Sequence, residues 1–376
     1  MKQKKCNLLI VQMSLDIGGA ETHIVELALE LNRRGYHVVV ASNGGAYVSE
    51  LTQAGIIHYK VPLHNKNPKN MITSYHLLKE IIKDEKIDLV HAHARIPAFI
   101  VGKLCKKMRI PFVATAHWVF TTAFGLKYLT NWGDRTVAVS EDIKQYLIDN
   151  YRIPPENITV TINGIDTNRF SAQVDYSDIA KEFSLVDQAF RIVHISRIDR
   201  SREAVAFLLV KAMPEICQRI PDAELVIVGA GDMFEELRQE AKRINQQIGR
   251  EAVKLAGART DINKFVACAS LFVGASRAAL EAMAAGKAAV VAGNEGDMGL
   301  FGPDKKELAF ANNFTCRGAK LPTQESMLDS ICQFYNMPED EKNRVAEYCQ
   351  KTVYENYSVE KMTDDTETAY RAAMQK

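Results

Sequence analysis

From Leu8 to Val291 the chain repeats one pattern: a short apolar run, a turn of small or glycine residues, an amphipathic helical stretch, then another apolar run. Strands joined through helices run parallel, because each helix returns the chain to the edge where the last strand began. A sheet of that kind needs helices over both faces. The expected fold is therefore α/β, with Rossmann-like doubly wound parallel sheets. At 376 residues the chain has room for about two such domains. The polar, weakly periodic stretch Ser171–Asp187 reads as the linker between a domain at 1–170 and one at 188–357.

Composition excludes several classes of function. The chain is 47% hydrophobic and 25% charged with a net charge of +1, so no overall field attracts nucleic acid or a membrane. Its seven cysteines, at 6, 105, 217, 268, 316, 332 and 349, form no CxxC pair, and their number is odd. Neither a disulfide framework nor a zinc ribbon fits, and the expectation is of thiols in a reducing cytoplasm. Behind Met1-Lys2-Gln3-Lys4-Lys5, the run Leu8–Val11 is too short for a signal-peptide core and reads as a first strand. No segment reaches the roughly 18 apolar residues of a membrane span. The basic stretch Lys103–Arg109, behind Ala98-Phe99-Ile100-Val101, is a candidate for peripheral contact with anionic lipid at the inner face of the membrane. Such runs are more often solvated helix ends.

Chemistry-bearing residues gather where strands give way to helices, the end at which open α/β sheets bind ligands. After the first strand, Ser14–Glu21 carries Gly18 and Gly19, where backbone can approach a bound group and a helix N-terminus offers free N–H donors. His91 and His93 lie on one side of a strand, but spacing supplies no third metal ligand, and ordinary core or loop histidines are the expectation. His117 closes the next strand and is the better functional candidate. Ser140 is placed to cap the helix after Thr136–Val139.

The second half opens with Phe190–Arg197 and the basic loop through Arg202, where Arg197 and Arg202 suit a diphosphate because guanidinium groups bind phosphate oxygens in pairs. Strand ends at Gly229 and at Gly257-Ala258-Arg259 follow. Then Gly274-Ala275-Ser276-Arg277 leads into a helix bearing Glu281 and closed by Gly286. Taken singly, Glu281 is also explained as a favourable charge near a helix N-terminus.

In order and spacing these motifs resemble the retaining glycosyltransferases of family 4, whose GT-B fold sets two Rossmann-like domains facing each other across a cleft. The resemblance runs from Gly18-Gly19 through Val137-Ala138-Val139-Ser140 and Asn163-Gly164-Ile165-Asp166 to Tyr357-Ser358. It implies that Gly18 and Gly19 flank donor diphosphate and acceptor, and that His117 lies by the donor sugar. Arg197 and Arg202 would hold the diphosphate, the backbone about Gly257 and Arg259 the base, and Glu281 the ribose hydroxyls. It further implies that the last helix, within 358–376, returns to the N-terminal domain.

Two departures stand out. The family carries a second glutamate in a Glu-Gly-Phe-Gly turn, and its place falls on Val273 here. Its Gly-Gly-x-Pro-Glu loop is replaced by Gly296–Gly302. Ser276, Arg277 or the 296–302 loop are candidates for the missing donor contacts.

The implied activity is transfer of a hexose, with retention, from a UDP- or GDP-linked donor to a hydroxyl of a glycan, lipid-linked glycan or small molecule. No Asp-x-Asp occurs, so arginines would replace a divalent metal, and no cofactor beyond the donor is expected. A sugar-nucleotide epimerase and a catalytically silent nucleotide-sugar binding protein are the alternatives.

Overall fold

The computed structural model describes residues 6–375, so Met1–Lys5 lie outside the described residues. The chain divides into two units: Met1–Gly164 with Val359–Lys376, and Ile165–Ser358.

The first unit runs β1 (Asn7–Val11), α1 (Gly19–Arg33), β2 (His37–Ser42), α2 (Val48–Gln53), β3 (Ile57–Lys60), α3 (Pro68–Asp84), β4 (Leu89–Ala92) and α4 (Arg95–Met108). It continues through β5 (Phe112–Ala116), α5 (Leu126–Leu129), β6 (Arg135–Ala138), α6 (Glu141–Tyr151) and β7 (Ile158–Val160). The strands form one parallel sheet in the order β3-β2-β1-β4-β5-β6-β7. Central β1 is buried along its whole length, as an unbroken apolar run covered on both faces must be. Helix α1 turns Ile24, Leu27, Ala28 and Leu31 into one of the two cores flanking the sheet. Each such leucine contributes about 1.5–3 kcal/mol.

The second unit runs α7 (Ser177–Glu182), β8 (Arg191–Ile195), α8 (Ala204–Arg219), β9 (Glu224–Val228), α9 (Phe234–Ile248), β10 (Val253–Gly257), α10 (Ile262–Ala267) and β11 (Leu271–Gly274). There follow α11 (Ser276–Ala284), β12 (Ala289–Gly293), β13 (Gly296–Leu300), α12 (Lys306–Ala311), α13 (Gln324–Asn336) and α14 (Glu339–Asn356). Its sheet order is β10-β9-β8-β11-β12-β13, parallel except for the edge strand β13. The closing helix α15 (Val359–Met374) belongs to the first unit. There Arg34, the residue after α1, reaches Asp364 at 2.5 Å and Glu367 at 3.2 Å.

In both sheets the strand order reverses beside the first strand, between β1 and β4 and between β8 and β11. The crevice at such a reversal is where an open sheet receives a ligand.

Several expectations need correction. The unit boundary falls at Gly164/Ile165, which puts 165–170 in the second unit, and 171–187 belongs to that unit too instead of standing as a linker. What weak periodicity hid there is a short helix: Ile179 is fully buried, Phe183 packs against Phe265, and Glu182 pairs with Arg259 at 2.7 Å. Most of 296–302 is β13, antiparallel to β12, and not a loop. Ser140 occupies the position before α6, but its hydroxyl donates to Asp142 and makes no cap hydrogen bond.

Candidate active site

In the second unit the loop after β8 carries Arg197 and Arg202 with Asp199 between them. Arg197 Nε is 3.9 Å from the Asp199 carboxylate and the Arg197 side chain is half exposed. Burial pushes the Asp199 carboxyl up, but the Ser201 hydroxyl and the charges of Arg202 and Arg197 more than offset it, so its pKa is lowered. The acid stays ionised, with the charges of both arginines acting on it.

This loop is braced by the turn after β9. Gly229 has φ +145°, and a Cβ there would come within 1.8 Å of the Ser196 carbonyl oxygen, so no side chain fits. The Ile198 N–H donates to Ala230 O at 3.0 Å and Met233 N–H donates to Ile198 O at 2.9 Å. Asn294, after β12, donates to the Ser201 carbonyl. Gly229 therefore acts by letting two loops meet. Strand β10 joins in at its end, as Gly257 O accepts from Gly229 N–H at 2.8 Å.

Arg259 is drawn away from the strand ends, with Asp261 at 2.8 Å and Glu182 at 2.7 Å.

Across the strand reversal, β11 passes directly into α11. Ser276 has φ +54°, the left-handed region that an L-residue adopts at a cost, and its N–H donates to Phe314 O at 2.6 Å. Glu281 points from α11 and is 2% exposed, accepting from Arg277 Nε at 2.8 Å. Burial raises the Glu281 pKa, while the charges of Arg277 and Arg169 pull it down; the net shift is upward. Val273 is fully buried in β11, as its apolar character demands.

The first unit holds a cluster of histidines at its own reversal. His117 follows β5, His93 follows β4, and their Nε2 and Nδ1 share a hydrogen bond of 3.0 Å. His23, from α1, meets His117 edge-on with ring centroids 4.8 Å apart. His91 is held between Tyr370 Oη of α15 and Thr115 Oγ1, both at 2.7 Å. Burial lowers the pKa of His117 to about 4 and of His91 to about 3, so both are neutral at pH 7. Gly18 precedes α1 with extended backbone, and Gly19 opens the helix.

The sequence reading missed His23, because its signal was only a polar residue on an amphipathic helix. Arg169 and Tyr370 were equally silent, being distant in sequence from the groups they face. On the stretch read as a membrane candidate, Lys103, Lys106, Lys107 and Arg109 are exposed, while Ile100 and Val101 are buried in the core. Among the described residues no helix is long and apolar enough to cross a membrane.

Residues 17–169 match the model for Glycosyltransferase Family 4, and residues 189–315 match that for Glycosyl transferases group 1. An uncharacterized glycosyltransferase of Methanocaldococcus jannaschii is 24% identical over 96% of this chain and 95% of its own. N-acetyl-alpha-D-glucosaminyl L-malate synthase of Bacillus anthracis is 23% identical over 94% of each chain. HepE of Anabaena, solved in complex with UDP and glucose, superposes with a TM-score of 0.75 at 19% identity, covering 98% of this chain and 100% of that one. With one glycosyltransferase model on each doubly wound unit and relatives that span the whole chain, the protein is a GT-B glycosyltransferase of the family 4 type.

Proposed function

We propose that the protein transfers a hexose, with retention and without a metal, from a UDP-linked donor to a hydroxyl of a glycan, lipid-linked glycan or small-molecule acceptor. The carrying observation is the second unit's strand reversal, which sets the Arg197/Arg202 loop after β8 beside the Glu281 helix after β11. One side offers cations to a diphosphate, the other a buried carboxylate to a ribose diol. The Anabaena neighbour's UDP and the malate named for the Bacillus relative support a UDP donor and a hydroxyl acceptor. GDP is the competing nucleotide.

Breaking the bond between the anomeric carbon and the diphosphate leaves negative charge on the departing oxygen. Arg197, Arg202 and the N–H groups opening α11 are suited to stabilise it. In a retaining transfer the acceptor oxygen bonds to the anomeric carbon from the face the diphosphate leaves, and its proton passes to a diphosphate oxygen. Neutral His117 serves as a hydrogen-bonding partner for the sugar, since a group titrating near pH 4 is a poor general acid at neutrality. Gly18 and Gly19 are assigned to the diphosphate and acceptor. Epimerase and silent-binder readings are less favoured, because both matching family models describe transferases.

A panel of nucleotide sugars tested for thermal stabilisation checks this reading. A donor at 100 times its dissociation constant adds about 2.7 kcal/mol. Stabilisation by UDP-hexoses and hydrolysis or transfer of the sugar is expected; no response to any nucleotide sugar would overturn it.

A further inference from the structure

We infer that His23, His93 and His117 form a binding site for a zinc-class transition metal ion, carried entirely by the first unit. One ring nitrogen of each histidine lies within 4.8 Å of the other two. Nitrogens bound at 2.0–2.1 Å to a tetrahedral zinc sit about 3.4 Å apart. His93 Nδ1 and His117 Nε2, at 3.0 Å, already stand near that spacing, and with the trio's ligand atoms within 4.8 Å of one another no pair needs to close by more than about 1.4 Å.

The chemistry of the cluster fits a metal better than it fits an isolated polar core. His93 is 2% exposed, and its Nε2 is buried without a hydrogen-bond partner. One nitrogen of the His93–His117 hydrogen bond carries the proton, which must shift to the other nitrogen of its own ring for both to ligate the ion. Outside the trio, His91 is fixed by Tyr370 and Thr115, and its ring centroid lies 4.0 Å from that of His93. It limits the orientations open to His93, as outer partners do around metal ligands. Three imidazoles select zinc, cobalt, nickel or copper over magnesium and calcium. The ligands come from α1, from the residue after β4 and from the residue after β5, so an ion would tie three elements together.

Such a site is distinct from the metal-free transfer proposed above. Where His117 also meets the donor sugar, bound zinc would compete with it; that consequence rests on the transfer reading, whereas the site does not.

Titrating the full chain, stripped of metal, with cobalt at pH 7.5 tests the site without recourse to activity. The expected result is one cobalt per chain with the intense visible bands of tetrahedral coordination, discharged by one equivalent of zinc. His23→Asn and His93→Asn should each weaken binding by more than about tenfold, the loss that removal of even an outer partner causes. His76→Asn, altering an exposed histidine, should keep the bands. Absence of the bands in the wild type, or their persistence in folded His23→Asn or His93→Asn, overturns the proposal. Should those variants fail to fold, X-ray absorption of the zinc-loaded wild type decides: three imidazoles support the site, and sulfur ligands or fewer imidazoles refute it.

Discussion

Arg277 donates through Nε to Oε1 of Glu281 at 2.8 Å, one helical turn along α11, with both side chains buried. The pairing fixes the direction of the carboxylate and offsets part of the upward pull that burial exerts on its pKa. Removing the arginine takes a hydrogen-bonded cation from a buried acid, and removing the acid takes a buried carboxylate from the guanidinium.

Arg277→Leu should therefore destabilise the second unit by about 3–5 kcal/mol, the cost of orphaning a buried charge. The double variant Arg277→Leu/Glu281→Leu should recover much of that loss. Urea unfolding of the two variants makes the comparison, and equal losses would show that the pair is not coupled.

Arg197→Ala and Arg202→Ala should weaken binding of UDP far more than binding of uridine. Each contact to phosphate is charge-assisted and contributes on the order of 1.5–3 kcal/mol. Calorimetry that found equal losses for nucleotide and nucleoside would remove the two arginines from the phosphate site.

Acid should weaken the fold early. His91, His117 and His194 carry folded pKa values of about 3, 4 and 4 because of burial, against 6.5 when exposed. Above pH 6.5 both folded and unfolded chains hold these rings neutral and nothing is lost. Between pH 6.5 and about 4 the unfolded chain takes up protons that the folded chain refuses, so stability falls with falling pH. The slope approaches about 1.4 kcal/mol per pH unit for each ring. Unfolding midpoints of the first unit measured from pH 7 to 5 should drop less steeply in His91→Gln. Identical slopes would show that His91 is protonated in the native state.

Transfer should persist in excess EDTA, since the arginine loop is assigned the charge-stabilising role of a divalent ion. Loss of activity restored by magnesium or manganese would contradict that assignment. Zinc at the histidine cluster predicts inhibition instead, a response of opposite sign.

The alternation of strands and helices was legible because it rests on local patterning: apolar runs such as Leu8–Val11 and Leu271–Val273, and turns at Gly35 and Gly286. The arginine loop and Glu281 were legible for the same reason, since position after a strand is a local property. Helix α7 was missed because six residues with one buried Ile179 give no period to read. The histidine cluster was half visible. His91 and His93 share a strand, but His23 and His117 come from other elements, and only the parallel register of β1, β4 and β5 brings such ends together. Arg259 is explained by Glu182, 77 positions away, a pairing no motif encodes.

The central claim is that Glu281 grips the ribose of a nucleotide-sugar donor, and a double comparison tests it most directly. Binding of UDP and of 2′-deoxy-UDP should be measured calorimetrically on the wild type and on Glu281→Gln. The account predicts that wild-type protein discriminates against the deoxy nucleotide by roughly 1.5–3 kcal/mol, and that the variant has lost nearly all of that preference, because both changes delete one interaction. A folded Glu281→Gln protein that still rejects the deoxy nucleotide as strongly as the wild type would contradict it.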